Sequence, residues 1–131
     1  MVVVLAGVAL GAATWRVWLG WDHTASYDAV TGTVQDPYVT LQVLGCALTV
    51  GAVVVCFGAL GRPVEGAGGV AFGFWLPWTL DALSHDDSGL AVVGSGMMAV
   101  GLAVGTGVAA LAGRGIRATV RAMRQKRSAA I

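Results

Sequence analysis

Apolar residues dominate four stretches of this chain, and each approaches or exceeds the roughly 20 residues that a helix needs to cross a lipid bilayer. These stretches lie at about 2–21, 37–60, 63–83 and 89–113. All are much longer than the strands of a membrane β-barrel, which alternate over about ten residues. Because backbone groups in lipid must be hydrogen-bonded within their own segment, the pattern predicts an all-α fold, a four-helix transmembrane bundle.

The ends of these stretches carry helix start and stop signals. Asp36-Pro37 is typical of an N-cap followed by the first helical residue. Gly61-Arg62-Pro63 ends the second stretch and begins the third, since proline is tolerated in a first turn. We expect Asp87-Ser88 to cap the fourth helix and Pro77 to kink the third.

A cleaved signal peptide is the alternative interpretation of the first stretch. Its apolar run has a suitable length, and Leu10-Gly11-Ala12-Ala13 offers small residues for cleavage. However, no Lys or Arg precedes the run, whereas signal peptides begin with a positively charged region. We therefore expect a retained helix.

Composition supports a membrane protein. Hydrophobic residues make up 56% of the chain and charged residues 11%, against about 25% charged in an ordinary soluble domain. So few charges could not cover a soluble monomer, and the high hydrophobicity excludes disorder. With a net charge of +1, the chain lacks an overall nucleic-acid footprint, and we expect no nucleic-acid partner.

Basic residues are confined to one side of the predicted bundle. The links at 22–36 and 84–88 contain Asp and His but no Lys or Arg. The turn between the second and third stretches carries Arg62, and the segment 114–131 carries the other basic residues outside the spans: Arg114, Arg117, Arg121, Arg124, Lys126 and Arg127. The positive-inside rule predicts a multi-pass protein of the bacterial cytoplasmic membrane with both termini cytoplasmic.

Aromatic residues agree with this orientation. All five tryptophans fall toward the predicted outer interface, namely Trp15, Trp18, Trp21, Trp75 and Trp78, and Tyr38 opens the second stretch. Tryptophan rings are favoured at membrane interfaces, so we interpret them as an interfacial belt.

Several short words resemble a known class of protein. They are Asp36-Pro37-Tyr38, Gln42-Val43-Leu44-Gly45, Leu80-Asp81-Ala82 and Asp86-Asp87-Ser88-Gly89-Leu90. With them, spans two to four resemble small, uncharacterised four-span integral membrane proteins of actinobacteria. The resemblance implies a four-helix membrane fold and neither an activity nor a catalytic residue.

Two charged residues lie within the predicted spans near their outer ends. Arg16 and Asp81 are expected at a similar depth, and buried membrane charges usually face the bundle and pair. We expect a direct or water-bridged Arg16–Asp81 pair. The alternative is that each side chain extends separately to the interface.

A metal site is a further hypothesis for the outer face. Asp81 and His85 share a helix face through their i, i+4 spacing, and His23 lies on the other outer link. Carboxylate and imidazole together suit zinc or another divalent ion. The alternative is an ordinary polar surface, and we expect no cofactor.

Cysteine and glycine indicate packing rather than chemistry. Cys46 and Cys56 lie about 15 Å apart along one helix, too far for a disulfide, and are interpreted as small buried residues. Three G-x-x-x-G pairs favour close approach of membrane helices, either within the bundle or between copies. These pairs are Gly7/Gly11, Gly69/Gly73 and Gly101/Gly105.

The basic segment after residue 113 has helical periodicity. Arg114, Arg117, Arg121 and Arg124 fall on one face, and Ile116, Val120 and Met123 cover a neighbouring face. This pattern predicts a basic amphipathic continuation of the fourth helix, a C-terminal helix that contacts anionic lipid at the inner surface. Docking of a cytoplasmic partner or nucleic acid is the alternative role.

No soluble catalytic motif occurs in the chain. The sequence favours a non-enzymatic accessory or assembly component that packs against a second copy or another membrane protein. A small transporter or channel, with Arg16 and Asp81 lining a polar path, is the alternative. An outer-face metal-binding protein is the third hypothesis.

Overall fold

The computed structural model describes residues 1–21, 40–86 and 88–129, together with the backbone of 26–28 and 33–35. Its helices are α1 (Val2–Trp18), α2 (Thr40–Ala59), α3 (Pro63–Ser84) and α4 (Leu90–Ala129). The predicted number and order of helices are confirmed. The proposed Asp36-Pro37 start of α2 lies outside the described residues.

The link between α1 and α2 contains a short hairpin, and the described part of the fold is otherwise all-helical, as predicted. Strand β1 (Ser26–Asp28) pairs antiparallel with β2 (Thr33–Gln35), and Tyr27 lies opposite Val34. Tyr, Val and Thr favour extended backbone, which explains the pairing locally. The strands are three residues each, too short for the periodicity that identified the helices.

Glycines bring α1 and α3 into backbone contact. A Cβ on Gly7 would lie 3.1 Å from the Cα of Gly69, and a Cβ on Gly11 would overlap the carbonyl of Val70. A Cβ on Gly73 would overlap Val8 in turn. The contacts advance together along both helices, so α1 and α3 run parallel. Two of the three predicted G-x-x-x-G pairs therefore pack within the bundle.

Glycine contacts also join α2 to α4. A Cβ on Gly58 would lie 2.8 Å from the Ala110 carbonyl oxygen and 2.9 Å from the Cα of Gly113. Val54, one turn earlier, is completely buried. This pair of helices is also parallel. Gly58 and Gly113 belong to none of the G-x-x-x-G pairs, so the sequence motifs did not identify this contact.

The interior of the bundle is small, and its exterior is apolar. The buried hydrophobic residues are Leu19, Cys46, Val50, Val54, Val70, Phe74 and Ala110. Large apolar side chains cover the outside of all four helices, with Leu5, Leu48, Leu80 and Val100 each at least 60% exposed. A soluble protein buries such residues, whereas small residues inside and large ones outside are typical of helices packed in lipid.

Two helices, α2 and α4, are long and apolar enough to cross a membrane. Only 22% and 11% of their most apolar windows are buried, which distinguishes them from the core helices of a soluble protein. Helix α1 is apolar but has 17 residues. The expectation of four spans is thus met in helix number, and for two helices also in length and hydropathy.

Replacing Gly73 should separate α1 from α3. Gly73→Ala would place a methyl group against the backbone of Val8, and we expect a loss of about 1–3 kcal/mol in unfolding free energy. Gly68→Ala is the matched control on the same helix, because a Cβ there meets nothing within 4 Å. In one detergent, the unfolding temperature of Gly68→Ala should equal or exceed that of the parent protein. Equal unfolding temperatures for Gly73→Ala and Gly68→Ala would contradict the close α1–α3 contact.

Candidate functional site

The turn between α2 and α3 is built around Gly61. Its φ of +85° is left-handed, and its N–H donates to the Gly58 carbonyl while the N–H of Arg62 donates to that of Phe57. These two bonds satisfy carbonyls at the end of α2 and form a Schellman motif, which favours glycine. The guanidinium of Arg117 lies directly over Gly61, in the space that a side chain would occupy. The turn and the basic part of α4 therefore meet at one end of the bundle, here called the basic end.

Arg62 makes a local ion pair at the basic end. Its Nη1 lies 3.0 Å from Oε1 of Glu65, in the first turn of α3. The side chains are 60% and 42% exposed, so the pair contributes little to stability. Arg114, Arg117 and Arg121 form no ion pair with any described residue.

The basic residues lie on a continuation of the fourth helix, as predicted. Helix α4 continues through Gly113 without interruption to Ala129, and its 40 residues correspond to about 60 Å. The change at 113/114 is one of composition, from apolar to basic, and not of secondary structure. From Arg114 onward nearly every residue is exposed, including Ile116, Val120 and Met123.

Asp81 and His85 lie at the opposite end, here called the acidic end. His85 Nδ1 is 3.8 Å from Oδ1 of Asp81, so the predicted i, i+4 face is present. His23, the third proposed ligand, lies outside the described residues. Among the described residues, no group of three potential metal ligands comes together.

Arg16 is exposed near the end of α1. Its Nη1 donates a hydrogen bond to the carbonyl of Gly20, which satisfies part of the guanidinium locally. Within the described part of the chain, Arg16 and Asp81 form no direct ion pair. The water-bridged form of the predicted pair stays a prediction.

Asp86 caps α4, a role that the sequence analysis gave to Asp87-Ser88. The Asp86 carboxylate accepts hydrogen bonds from the Ser88 hydroxyl at 2.6 Å and from the backbone N–H of Ala91 at 2.8 Å. The hydroxyl oxygen of Ser88 accepts a weaker hydrogen bond from the N–H of Leu90 at 3.3 Å. The predicted capping role of Ser88 is therefore confirmed, whereas Asp87 lies outside the described residues. The bond from Ser88 Oγ, then those from Ala91 and Ser88 N–H, lower the pKa of Asp86 below its usual 3.8. The cap therefore stabilises the helix above that pH and is lost as the pH falls through the lowered pKa.

A buried hydrogen bond joins α3 to α4 in the acidic half of the bundle. The hydroxyls of Thr79 and Ser95 lie 2.8 Å apart, and both residues are buried. Trp75 Nε1 donates to the Ser95 carbonyl at 3.1 Å. These polar groups satisfy one another, as buried groups must in an apolar medium.

Two further hydroxyls within the helices, those of Thr49 and Thr106, are also hydrogen-bonded. Thr49 donates to the carbonyl of Gly45 at 2.8 Å and accepts from Trp18 Nε1 at 3.2 Å. Thr106 donates to the Leu102 carbonyl at 2.6 Å. These hydroxyls thus serve helix contacts or their own backbone rather than a shared aqueous path. Among the described residues, Trp15 Nε1 is a buried polar atom without a hydrogen-bond partner.

An apolar groove of about 400 Å³ opens between α2 and α4. Val43, Val50, Phe74 and Met97 line it, and Gly101 and Gly105 form part of its floor. A Cβ on either of these glycines would meet nothing within 4 Å. The third G-x-x-x-G pair is therefore unused inside the described bundle.

Both cysteines are free, in agreement with their predicted separation. Cys46 is buried as expected, whereas Cys56 is exposed. The interpretation of Cys56 as a buried residue is wrong, because its position on α2 faces away from the bundle.

Comparison with known proteins found no matching family model, no similar curated protein and no similar solved structure.

Neither the Thr79–Ser95 hydrogen bond nor the position of Arg117 over Gly61 was predictable from the sequence pattern. Helix periodicity on α3 and α4 could have placed Thr79 and Ser95 inward, but not opposite each other. The Gly-Arg-Pro turn signal was present in the sequence, but its proximity to Arg117 depends on how α2 packs on α4.

Thr79 and Ser95 should be energetically coupled. Thr79→Val and Ser95→Ala should each lower the unfolding free energy in detergent, and the double variant should lose less than the sum. Interhelical hydrogen bonds in membrane proteins suggest a coupling of about 0.6–1.7 kcal/mol.

Thr106→Val is the matched control for this cycle, because its hydroxyl bonds only within α4. Combined with Ser95→Ala, it should give additive losses. Additivity for the Thr79–Ser95 cycle as well would show that their bond contributes nothing to the α3–α4 contact.

Proposed function

We propose that this protein is a four-span integral membrane protein of the bacterial cytoplasmic membrane, with all four helices crossing the bilayer. The observation that carries the proposal is the apolar exterior, which continues around α1 and α3 as well as α2 and α4. Exposed side chains such as Leu5 and Leu80 have no role in water but are favourable against lipid. In α1, 17 residues cover about 26 Å, close to the ~30 Å hydrocarbon core.

Both termini are proposed to be cytoplasmic. We call the part of α4 from Arg114 to Ala129 the basic extension. The turn at Arg62 and the start of this extension lie together at the basic end, and the acidic end carries Asp81 and Asp86. This separation of charge along the bundle axis supports the positive-inside orientation. The tryptophans of α1 and the second half of α3 then fall at the outer interface.

We further propose that the protein is a non-enzymatic accessory or assembly component. The hydroxyls of Thr49, Thr79, Ser95 and Thr106 are hydrogen-bonded within the bundle, which supports a packing role over transport. The open groove at Gly101 and Gly105 offers a surface where another helix could approach closely. The helix that fills this groove would belong to a second copy of the chain or to another membrane protein.

Topology is tested by reporter fusions in the expressing cells. A fusion after residue 131 should report the cytoplasm, and an insertion between Asp22 and Asp36 should report the exterior, because the basic residues are retained inside. Exterior activity of the fusion after residue 131 would contradict the four-span arrangement.

The accessory role is tested by photocrosslinking in native membranes. A photoreactive residue at Met97, which lines the groove, should give a discrete protein adduct that Gly101→Leu/Gly105→Leu removes. The same probe at Leu80, on the exposed face of α3, is the control.

A flux assay in reconstituted liposomes tests the transporter alternative. Solute or ion flux above that of empty liposomes, abolished by Arg16→Ala and Asp81→Ala, would contradict the accessory role and establish the transport alternative.

A further inference from the structure

Three arginines surround a pocket at the basic end. The pocket has a volume of about 270 Å³ and lies between the α2–α3 turn and α4, where it is lined by Arg114, Arg117 and Arg121 together with Gly61 and Pro63. Glu65 is the acidic side chain of the neighbouring first turn, and it is paired with Arg62. The three pocket arginines therefore present positive charge that no described carboxylate neutralises.

The local backbone adds to this positive charge. Helix α3 begins at Pro63, on the wall of the pocket. Its first turn is the positive end of a 22-residue helix dipole. The glycine at position 61 leaves room for the Arg117 guanidinium to lie against the turn, so this side chain is held at the pocket rather than in open solvent.

An apolar groove adjoins the basic pocket. It has a volume of about 450 Å³, lies between α3 and α4, and shares Pro63 and Arg114 with the pocket. Small residues form much of it, including Ala67, Gly68 and Gly107. Along α4 it extends from Ala103 to Arg114, which corresponds to about 16 Å, or half of the ~30 Å hydrocarbon core. It therefore has the depth of one lipid leaflet.

We propose that the basic pocket and this groove together bind one anionic phospholipid of the inner leaflet. The phosphate lies among Arg114, Arg117 and Arg121, and one acyl chain lies in the groove between α3 and α4. The shared wall at Arg114 marks the boundary between headgroup and chain. Basic pockets between membrane helices on the cytoplasmic side are known to suit such headgroups.

This inference depends on the proposed membrane orientation and makes it more specific. A diffuse attraction of the basic extension to anionic lipid would involve all its cations equally. A built site instead distinguishes the arginines of the pocket from Lys126 and Arg127, which lie three or more turns closer to the end of α4 than Arg114.

The test measures lipid binding to the full chain in mild detergent by native mass spectrometry. Phosphatidylglycerol should bind at one molecule per chain, and phosphatidylcholine should bind at least tenfold more weakly. Arg114→Gln/Arg117→Gln should weaken phosphatidylglycerol binding about 25-fold, at roughly fivefold per arginine. Lys126→Gln/Arg127→Gln, which removes the same charge, should change it less than threefold.

A second pair of variants tests the acyl-chain groove. Gly107→Leu should fill the groove without meeting the backbone, because a Cβ there has nothing within 4 Å, and should weaken phosphatidylglycerol binding at least fivefold. Gly96→Leu is the control, since a Cβ there is equally free and the residue lines neither cavity. Unchanged thermal unfolding of both variants confirms that the bundle is intact.

Several results would overturn the proposal. If both charge-removing double variants weakened phosphatidylglycerol binding equally, the basic extension would attract anionic lipid only diffusely. Competition by millimolar inorganic phosphate that abolishes lipid binding, with no effect of Gly107→Leu, would show a phosphate site without a lipid chain. Preferential retention of RNA or a soluble protein by the same arginines would assign the pocket to another partner. Membrane fractionation of each variant separates these outcomes from failure of the membrane proposal itself.

Discussion

Backbone-to-backbone contact through glycine is the constraint on which the rest of this structure depends. Gly7, Gly11, Gly69 and Gly73 let α1 and α3 touch without intervening side chains, and Gly58 and Gly113 do the same for α2 and α4. Two parallel helix pairs result, each with little room for a large residue between its members. Dispersion contacts and a few hydrogen bonds, rather than burial of large apolar side chains, hold such pairs together.

The apolar exterior follows from this packing. Glycine contacts leave an interior with few large side chains, among them Val54, Val70 and Phe74. Most leucines lie on the outer faces of the helices, where lipid would make them favourable. The same geometry determines the two ends. Close packing of α2 on α4 brings Arg117 over Gly61 and creates the basic pocket, while Asp86 fixes the start of α4 at the acidic end.

The four helices were predictable because apolar length is a strong signal, and the segregation of Arg and Asp predicted which ends lie together. Helix partners were less predictable. The spacing of Gly7/Gly11 and Gly69/Gly73 indicated close contacts, but equal spacing at Gly101/Gly105 gave none in the bundle. Spacing describes one helix, whereas packing also requires a facing partner. For the same reason the Thr79–Ser95 bond could not be inferred.

The most direct test is whether water reaches the apolar exterior of the helix bundle. Leu48 is 74% exposed near the middle of α2. In a background with Cys46→Ala and Cys56→Ala, a membrane-impermeant maleimide should fail to label Leu48→Cys in native membranes and should label it after denaturation. Ser128→Cys, on the basic extension, should react from the cytoplasmic side only. Labelling of Leu48→Cys in intact membranes at the rate of accessible Ser128→Cys would mean that this surface faces water, and would contradict the account.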